Sequence, residues 1–257
     1  PPRPAPIMWA PRSGDPNPDR EPDNLGGLAA WALRDALLHH HLQGDDIGLG
    51  SDVHHTARDR GQLPLGTAGD VVFRQLAGEA MTIADQASPF RDGPVQRLAL
   101  SLEVDGLHFT DTVDRFESGL LMVRAGGFGS KYKMKLYLQH LLANATGITT
   151  VSRGVSKARR ITSFKPMDRQ DALDTLTQLV QLYRDGWNRP LPMWADLDET
   201  YAWSFHSSGS NGDAAGKVQE QWRDEPRCLG EFSRGTWPKN PFYKDLHGAS
   251  TLAQQVW

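Results

Sequence analysis

Residues 107–147 read LHFTDTVDRFESGLLMVRAGGFGSKYKMKLYLQHLLANATG, and the order of patterns within them decides the fold. Leu107, Phe109 and Val113 fall at the spacing of a strand with one buried face. The turn Phe116-Glu117-Ser118-Gly119 leads into Leu120-Leu121-Met122-Val123, the continuous apolar run expected of a central strand covered on both faces. A glycine-rich loop at 125–130 then opens a helix. That helix carries Tyr132, Leu136, Leu138, Leu142 and Ala145 inward and stops at Gly147.

Moving back from Leu107, Asp105-Gly106 is a two-residue hairpin signal, preceded by Leu98, Leu100, Leu102 and Val104 in strand alternation. Thr67-Ala68-Gly69-Asp70 is a capping-box-like start for a helix to about Gln86, with Val72, Leu76, Ala80 and Ile83 on one stripe. Pro89, Asp92, Gly93 and Pro94 break it. Earlier still, Asn24 can cap a helix bearing Leu25, Ala29, Leu33, Ala36 and Leu37, which Gly44 ends. A short helix around 52–60 is the most that residues 44–66 predict. His39, His40 and His41 are consecutive, so on a helix they point in different directions and make a poor metal site. Moving forward, Ile148–Arg153 and Arg160–Phe164 read as strands joined by a basic turn. Asp168 begins an amphipathic helix with Ala172, Leu173, Leu176, Leu179, Val180 and Tyr183, ended by Gly186 and Pro190.

Four regions follow. Residues 1–23 hold eight of the seventeen prolines and read as an extended linker. Residues 24–66 form a helical lead-in and 67–190 the core. Residues 191–257 form a tryptophan-rich subregion expected to pack on that core, since six of the eight tryptophans lie at 187 or beyond. The chain starts at Pro1, as a fragment of a longer polypeptide would. With 39% hydrophobic residues it can build a core, and no apolar run is long enough to span a membrane. Cys228 is the single cysteine, which excludes an internal disulfide and cysteine-rich zinc modules and fits a reducing cytosol. A net charge of −3 means that any DNA contact must be local or shared with a partner.

The order αβββαβ predicts an α+β sandwich that resembles the restriction-endonuclease-like PD-(D/E)XK core, although pattern alone leaves other α+β sandwiches open. That superfamily places an acid on the first of two strands, then an acid and a lysine two residues apart on the second. Here the first acid is Asp114, and the second strand offers Met122 and Arg124. A thioether is a weak ligand for Mg²⁺, and arginine stays protonated and cannot act as a base. Asp111 points to the strand face opposite Asp114. The site is therefore degenerate, with no catalytic residue and no metal expected. An Asp114–Arg124 ion pair is the plainer alternative.

The blocks RDRGQLPLGTAGDVVFRQL (58–76), GLLMVRAG (119–126), LYLQHLLANATG (136–147) and DALDTLTQLVQLYRDGWNRPLP (171–192), with a looser GEFSRGTWPKNPFYKDLHG (230–248), carry a resemblance over residues 24–250. Together they resemble the C-terminal region of the RecC family, the gamma chain of the RecBCD helicase–nuclease, exodeoxyribonuclease V. The resemblance implies a nuclease fold without its active site, acting as scaffold and DNA guide or strand-separation element in double-strand break repair and recombination. It implies RecB-like and RecD-like partners, double-stranded DNA ends and single-stranded DNA. ATP and Mg²⁺ would belong to the partner motor and nuclease subunits, with no cofactor for this domain and no membrane.

DNA-contact candidates are solvent-directed. Arg153, Lys157, Arg159 and Arg160 place four cations in eight residues on the turn, and Phe128 lies in the 125–130 loop. Lys131, Lys133 and Lys135 open a helix, where cations oppose the macrodipole. Two other classes compete with the guide reading. One is an active Mg²⁺-dependent DNA exonuclease using Asp114 with a second acid such as Glu79 or Glu103. The other is a pure protein-interaction module.

Overall fold

In the computed structural model, which describes residues 25–158, 160–189, 191 and 195–224, the chain divides into two units, 1–80 and 81–257. The expected linker at 1–23, Asn24 and most of the tryptophan-rich end lie outside the described residues.

In the first unit, α1 (Gly27–Gln43) starts after Gly26 and buries Leu33, Leu37 and Leu38. Gly44 ends it at φ 94°, the left-handed conformation that favours glycine. The three consecutive histidines part ways as the helix dictates. His39 Nδ1 lies 2.8 Å from the Asp35 carbonyl oxygen, and His40 Nδ1 lies 2.7 Å from Asp45 Oδ2. Helix α2 (Asp52–Asp59) is capped by Ser51, whose hydroxyl accepts from the His54 N–H at 3.3 Å. His54 is buried; its Nδ1 accepts from the Gly50 N–H at 3.1 Å, which leaves Nε2 to donate to Asp70 Oδ1 at 3.2 Å. Asp70, read as part of a capping box, thus directs its carboxylate to His54 and to Arg58. Helix α3 (Gly66–Ala87) buries Phe73, Leu76, Ala80 and Ile83, the last three on the stripe its periodicity predicts.

The second unit is α+β. Strands β1 (Gln96–Val104), β2 (Leu107–Phe116), β3 (Gly119–Arg124), β4 (Ser152–Ser156) and β5 (Thr162–Phe164) form one mixed sheet in the order β1-β2-β3-β4-β5. Among the described strands only β3 and β4 run parallel, and α4 (Ser130–Ala145) makes the crossover between them. Asp105 at φ 47° and Gly106 at φ 74° build the hairpin turn between β1 and β2, as both central residues of a type I′ turn require. Leu100, Val113 and Leu120 on the inner sheet face pack against Leu142 and Ala143 of α4. Helix α5 (Arg169–Asn188) adds Ala172, Leu176 and Val180 against Leu141, Ala145 and Val104. Helices α6 (Ala195–Ser208) and α7 (Asn211–Asp224) pair through Leu197, Tyr201, Ala214 and Val218.

Three expectations change. The strand read at Ile148–Arg153 begins only at Ser152, because β4 is selected by parallel pairing with β3 and by small residues beneath α4 rather than by apolar run. Ser152, Gly154 and Ser156 are all buried, and a Cβ on Gly154 would strike the Phe128 ring. Leu138 and Tyr183, assigned inward, are exposed at 36% and 54%, since the inner face of each helix is already filled by neighbours one turn away. The C-terminal half of α4 is buried on all sides, polar residues included. His140 Nδ1 sits 2.9 Å from Ser152 Oγ, and Asn144 Oδ1 accepts from the Thr150 and Met167 N–H groups at 3.2 and 3.3 Å.

Candidate nucleic-acid interface and the Asp114 cleft

Strands β2 and β3 pair only at Arg115↔Leu120 and Phe116↔Gly119, next to their turn. Gly119 is required there, at φ 127°, because a Cβ would run into the Val151 carbonyl oxygen. Beyond these two pairs no ladder joins the strands, while β1–β2 and β3–β4 stay paired along their lengths. The gap forms a cleft of about 460 Å³ whose lining includes Arg97, Asp114, Met122, Lys135 and Gln139.

Asp114 and Met122 therefore meet in one cleft, whereas Arg124 turns away. Its Nη1 donates to the Gly127 carbonyl oxygen at 2.9 Å and its guanidinium lies over the Tyr132 ring. The carboxylate of Asp114 pairs across the hairpin with Arg97, its register partner on β1, at 3.2 Å. The Asp114–Arg124 pair considered from the sequence is thus replaced by Asp114–Arg97, because strand register places Arg97 directly opposite. Asp111 accepts from Gln139 Nε2 at 2.9 Å on the helix-covered face. Asp114 is the only carboxylate among the cleft's described lining residues, and among the described residues no three His, Cys, Asp or Glu side chains gather to hold a metal ion. The two further acids weighed from the sequence are placed as follows: Glu79 pairs with Arg34 at 2.7 Å, and Glu103 stands opposite His108 on the exposed sheet face. Arg97 is a cleft residue that sequence reasoning missed, and Lys135, noted there only as a cation opening a helix, was not assigned to the cleft. Lys135 reaches it only because α4 crosses over the gap, and Arg97 only through hairpin register.

The basic segment is more divided than its spacing implies. Arg153 lies inside β4, not on the turn. Its guanidinium donates to the Ser118 carbonyl oxygen at 2.6 Å and stacks 4.8 Å from the Phe90 ring, so it fastens the β2–β3 turn to the segment before β1. Asp92 supports the same knot by accepting from the Ser118 N–H at 2.9 Å, a bond that holds its carboxyl below the usual carboxylate range. Phe128, expected at the surface, is buried over Gly154 and fills the space left by the absent side chain. Lys157 and Arg160 are exposed on the turn, Arg160 with its guanidinium 4.9 Å from the Trp203 ring; Arg159 lies outside the described residues. Lys133 pairs with Glu199 of α6.

A third surface is apolar. Leu107, Phe109, Leu138, Tyr183, Trp187 and Leu191 line a groove of about 820 Å³ across β2, α4 and α5. Trp187 is 76% exposed, unusual for so large an apolar side chain without an interaction to cover it.

The sequence was also compared with known proteins. It is 29% identical over 175 residues to the RecBCD enzyme subunit RecC of Escherichia coli (strain K12), an alignment covering 68% of this chain and 15% of that protein. It is 22% identical over 132 residues to the RecBCD enzyme subunit RecC of Buchnera aphidicola subsp. Schizaphis graminum (strain Sg), covering 51% of this chain and 12% of that one. The chain thus spans well under a fifth of either relative's length. A family model described as the RecC C-terminal domain matches residues 8–206, most of the chain. This chain belongs to the RecC C-terminal domain family.

Proposed function

We propose that the chain is a non-catalytic domain with a PD-(D/E)XK-like core, serving as scaffold and DNA guide within a RecBCD-type complex for double-strand break repair and recombination. Family membership supports the setting, and one observation carries the loss of chemistry. Among the described residues, the cleft beside Asp114 offers a single carboxylate, already paired with Arg97. Mg²⁺ demands several oxygen ligands in octahedral array, and a hydrolytic site also needs a group to activate water. Arg97 and Lys135 bring positive charge there, which suits a phosphate better than a cation. ATP and Mg²⁺ chemistry then belongs to RecB-like and RecD-like subunits.

The test is incubation of the chain with single-stranded DNA and Mg²⁺. No cleavage above background is expected, and cleavage that disappears on Asp114→Ala would establish an active exonuclease instead.

A partner-docking role has its own support in the apolar groove around Tyr183 and Trp187. It complements the guide role, because a scaffold must be held by the subunits it serves.

A further inference from the structure

We propose that the groove between the outer edge of β5 and helix α6 holds a single strand of DNA, with Trp203 stacking a base and Arg160 receiving a phosphate. This deepens the DNA-guiding role and rests on it. The groove measures about 800 Å³, and one wall is the unbroken run Arg160–Phe164. Thr162, Ser163 and Phe164 of that run are β5, so this part of the wall is the sheet edge, with Arg160 and Ile161 leading into it. β5 ends the sheet, and β4 is its only partner among the described strands. An edge strand leaves part of its backbone N–H groups outside the ladder, where they can donate to an acceptor.

The opposite wall is α6. There Trp203 stands 60% exposed, and the Arg160 guanidinium lies 4.9 Å from its ring centroid. An exposed indole beside a planar cation is a stacking platform for a nucleobase, and the sugar–phosphate chain leaving that base meets a positive charge at once. The floor carries two donors already engaged by a carboxylate of the chain. Ser130, buried at 4% exposure, donates its hydroxyl to Glu199, and Lys133 donates to the same carboxylate. The Glu199 carboxylate thus holds both donors in an internal ion pair, so in the native chain Lys133 is not free for a phosphate. An extended peptide pairing with β5 is the competing occupant of such an edge. The strand spans only three residues, which limits a peptide ladder, whereas the indole and its neighbouring cation match nucleic acid.

The full chain is titrated with fluorescein-labelled dT12 and with a blunt duplex, read by anisotropy. Trp203→Ala should weaken dT12 binding roughly 5- to 150-fold, the range for one base–aromatic stack, while Trp203→Phe retains most of it and duplex binding changes little. Glu199→Gln should tighten dT12 binding and steepen its salt dependence by about 0.7 in log K per log salt, one phosphate newly neutralised by Lys133. Unaltered melting of Trp203→Ala guards against a folding artefact. DNA binding that Trp203→Ala and Glu199→Gln leave unchanged would overturn the groove and spare the guide role. Binding of neither DNA at low salt would overturn both. Loss of partner-subunit capture on Trp203→Ala, with dT12 affinity intact, would give the groove to a protein strand and overturn the assignment.

Discussion

Phe128 and Gly154 are complementary halves of one packing solution. The ring lies where a Cβ at 154 would stand, so each residue type demands the other. Phe128→Ala should cost about 3–5 kcal/mol by leaving a cavity, and Gly154→Ala about 1–3 kcal/mol by overpacking, both read from urea denaturation. Combining Gly154→Ala with Phe128→Leu should recover part of the second loss. His140 makes a different prediction. Burial holds its imidazole below the ordinary range, against a smaller opposing effect of a hydrogen bond with the Lys165 backbone. The unfolded chain takes up this proton at higher pH than the folded one. Stability is therefore complete above the ordinary histidine value near 6.5 and falls as pH drops through it, until the folded group also protonates. Urea midpoints at about pH 7.5 and about pH 5.5 should differ in that direction, and His140→Gln should reduce the difference. Asp114→Ala removes an exposed pair with Arg97, so its effect on stability should stay below about 1 kcal/mol.

Helix α4 changes character along its length. Its C-terminal half, from Gln139 to Ala145, is buried throughout, while its first turns bring Lys133 to Glu199 and Lys135 to the cleft beside Asp114. A cation near a helix N-terminus opposes the macrodipole by about 0.3–1 kcal/mol, a cost that the Glu199 carboxylate offsets at Lys133. Helix α5 has the complementary peculiarity. Its inner face is saturated by Ala172, Leu176 and Val180, yet Tyr183 and Trp187 extend an apolar stripe into solvent, their rings 6.1 Å apart in an edge-on contact. Replacing both with serine should leave the melting temperature within about 2–4 °C, because little native burial is lost. The same double change should weaken capture by a RecB-like subunit in a co-purification assay. Undiminished capture would remove this face from the docking surface.

The chain as a whole is mildly acidic, at −3, so any DNA affinity must come from local charge. In a reconstituted RecBCD-type complex, neutralising Lys157 and Arg160 together should lower the salt slope for binding a DNA end by one to two phosphate contacts, about 0.9 each on duplex. An unchanged slope would exclude the turn as a phosphate contact. Arg153→Ala should behave otherwise, because its guanidinium ties Ser118 and Phe90 inside the protein. Its effect belongs to stability and not to salt dependence. The sequence alone sufficed for helices α1 to α5, the β1–β2 hairpin with its Asp105-Gly106 turn, and β3. Each of these depends on periodicity or on residue chemistry within a few positions. Tertiary structure was needed for the start of β4, the burial of Phe128, the diversion of Arg153, the Arg97 partner of Asp114, and the convergence of Lys135 on the cleft and of Trp203 on Arg160. Those depend on register and on packing between segments tens of residues apart, where the partner of a side chain is set by the path of the chain and not by its neighbours in sequence.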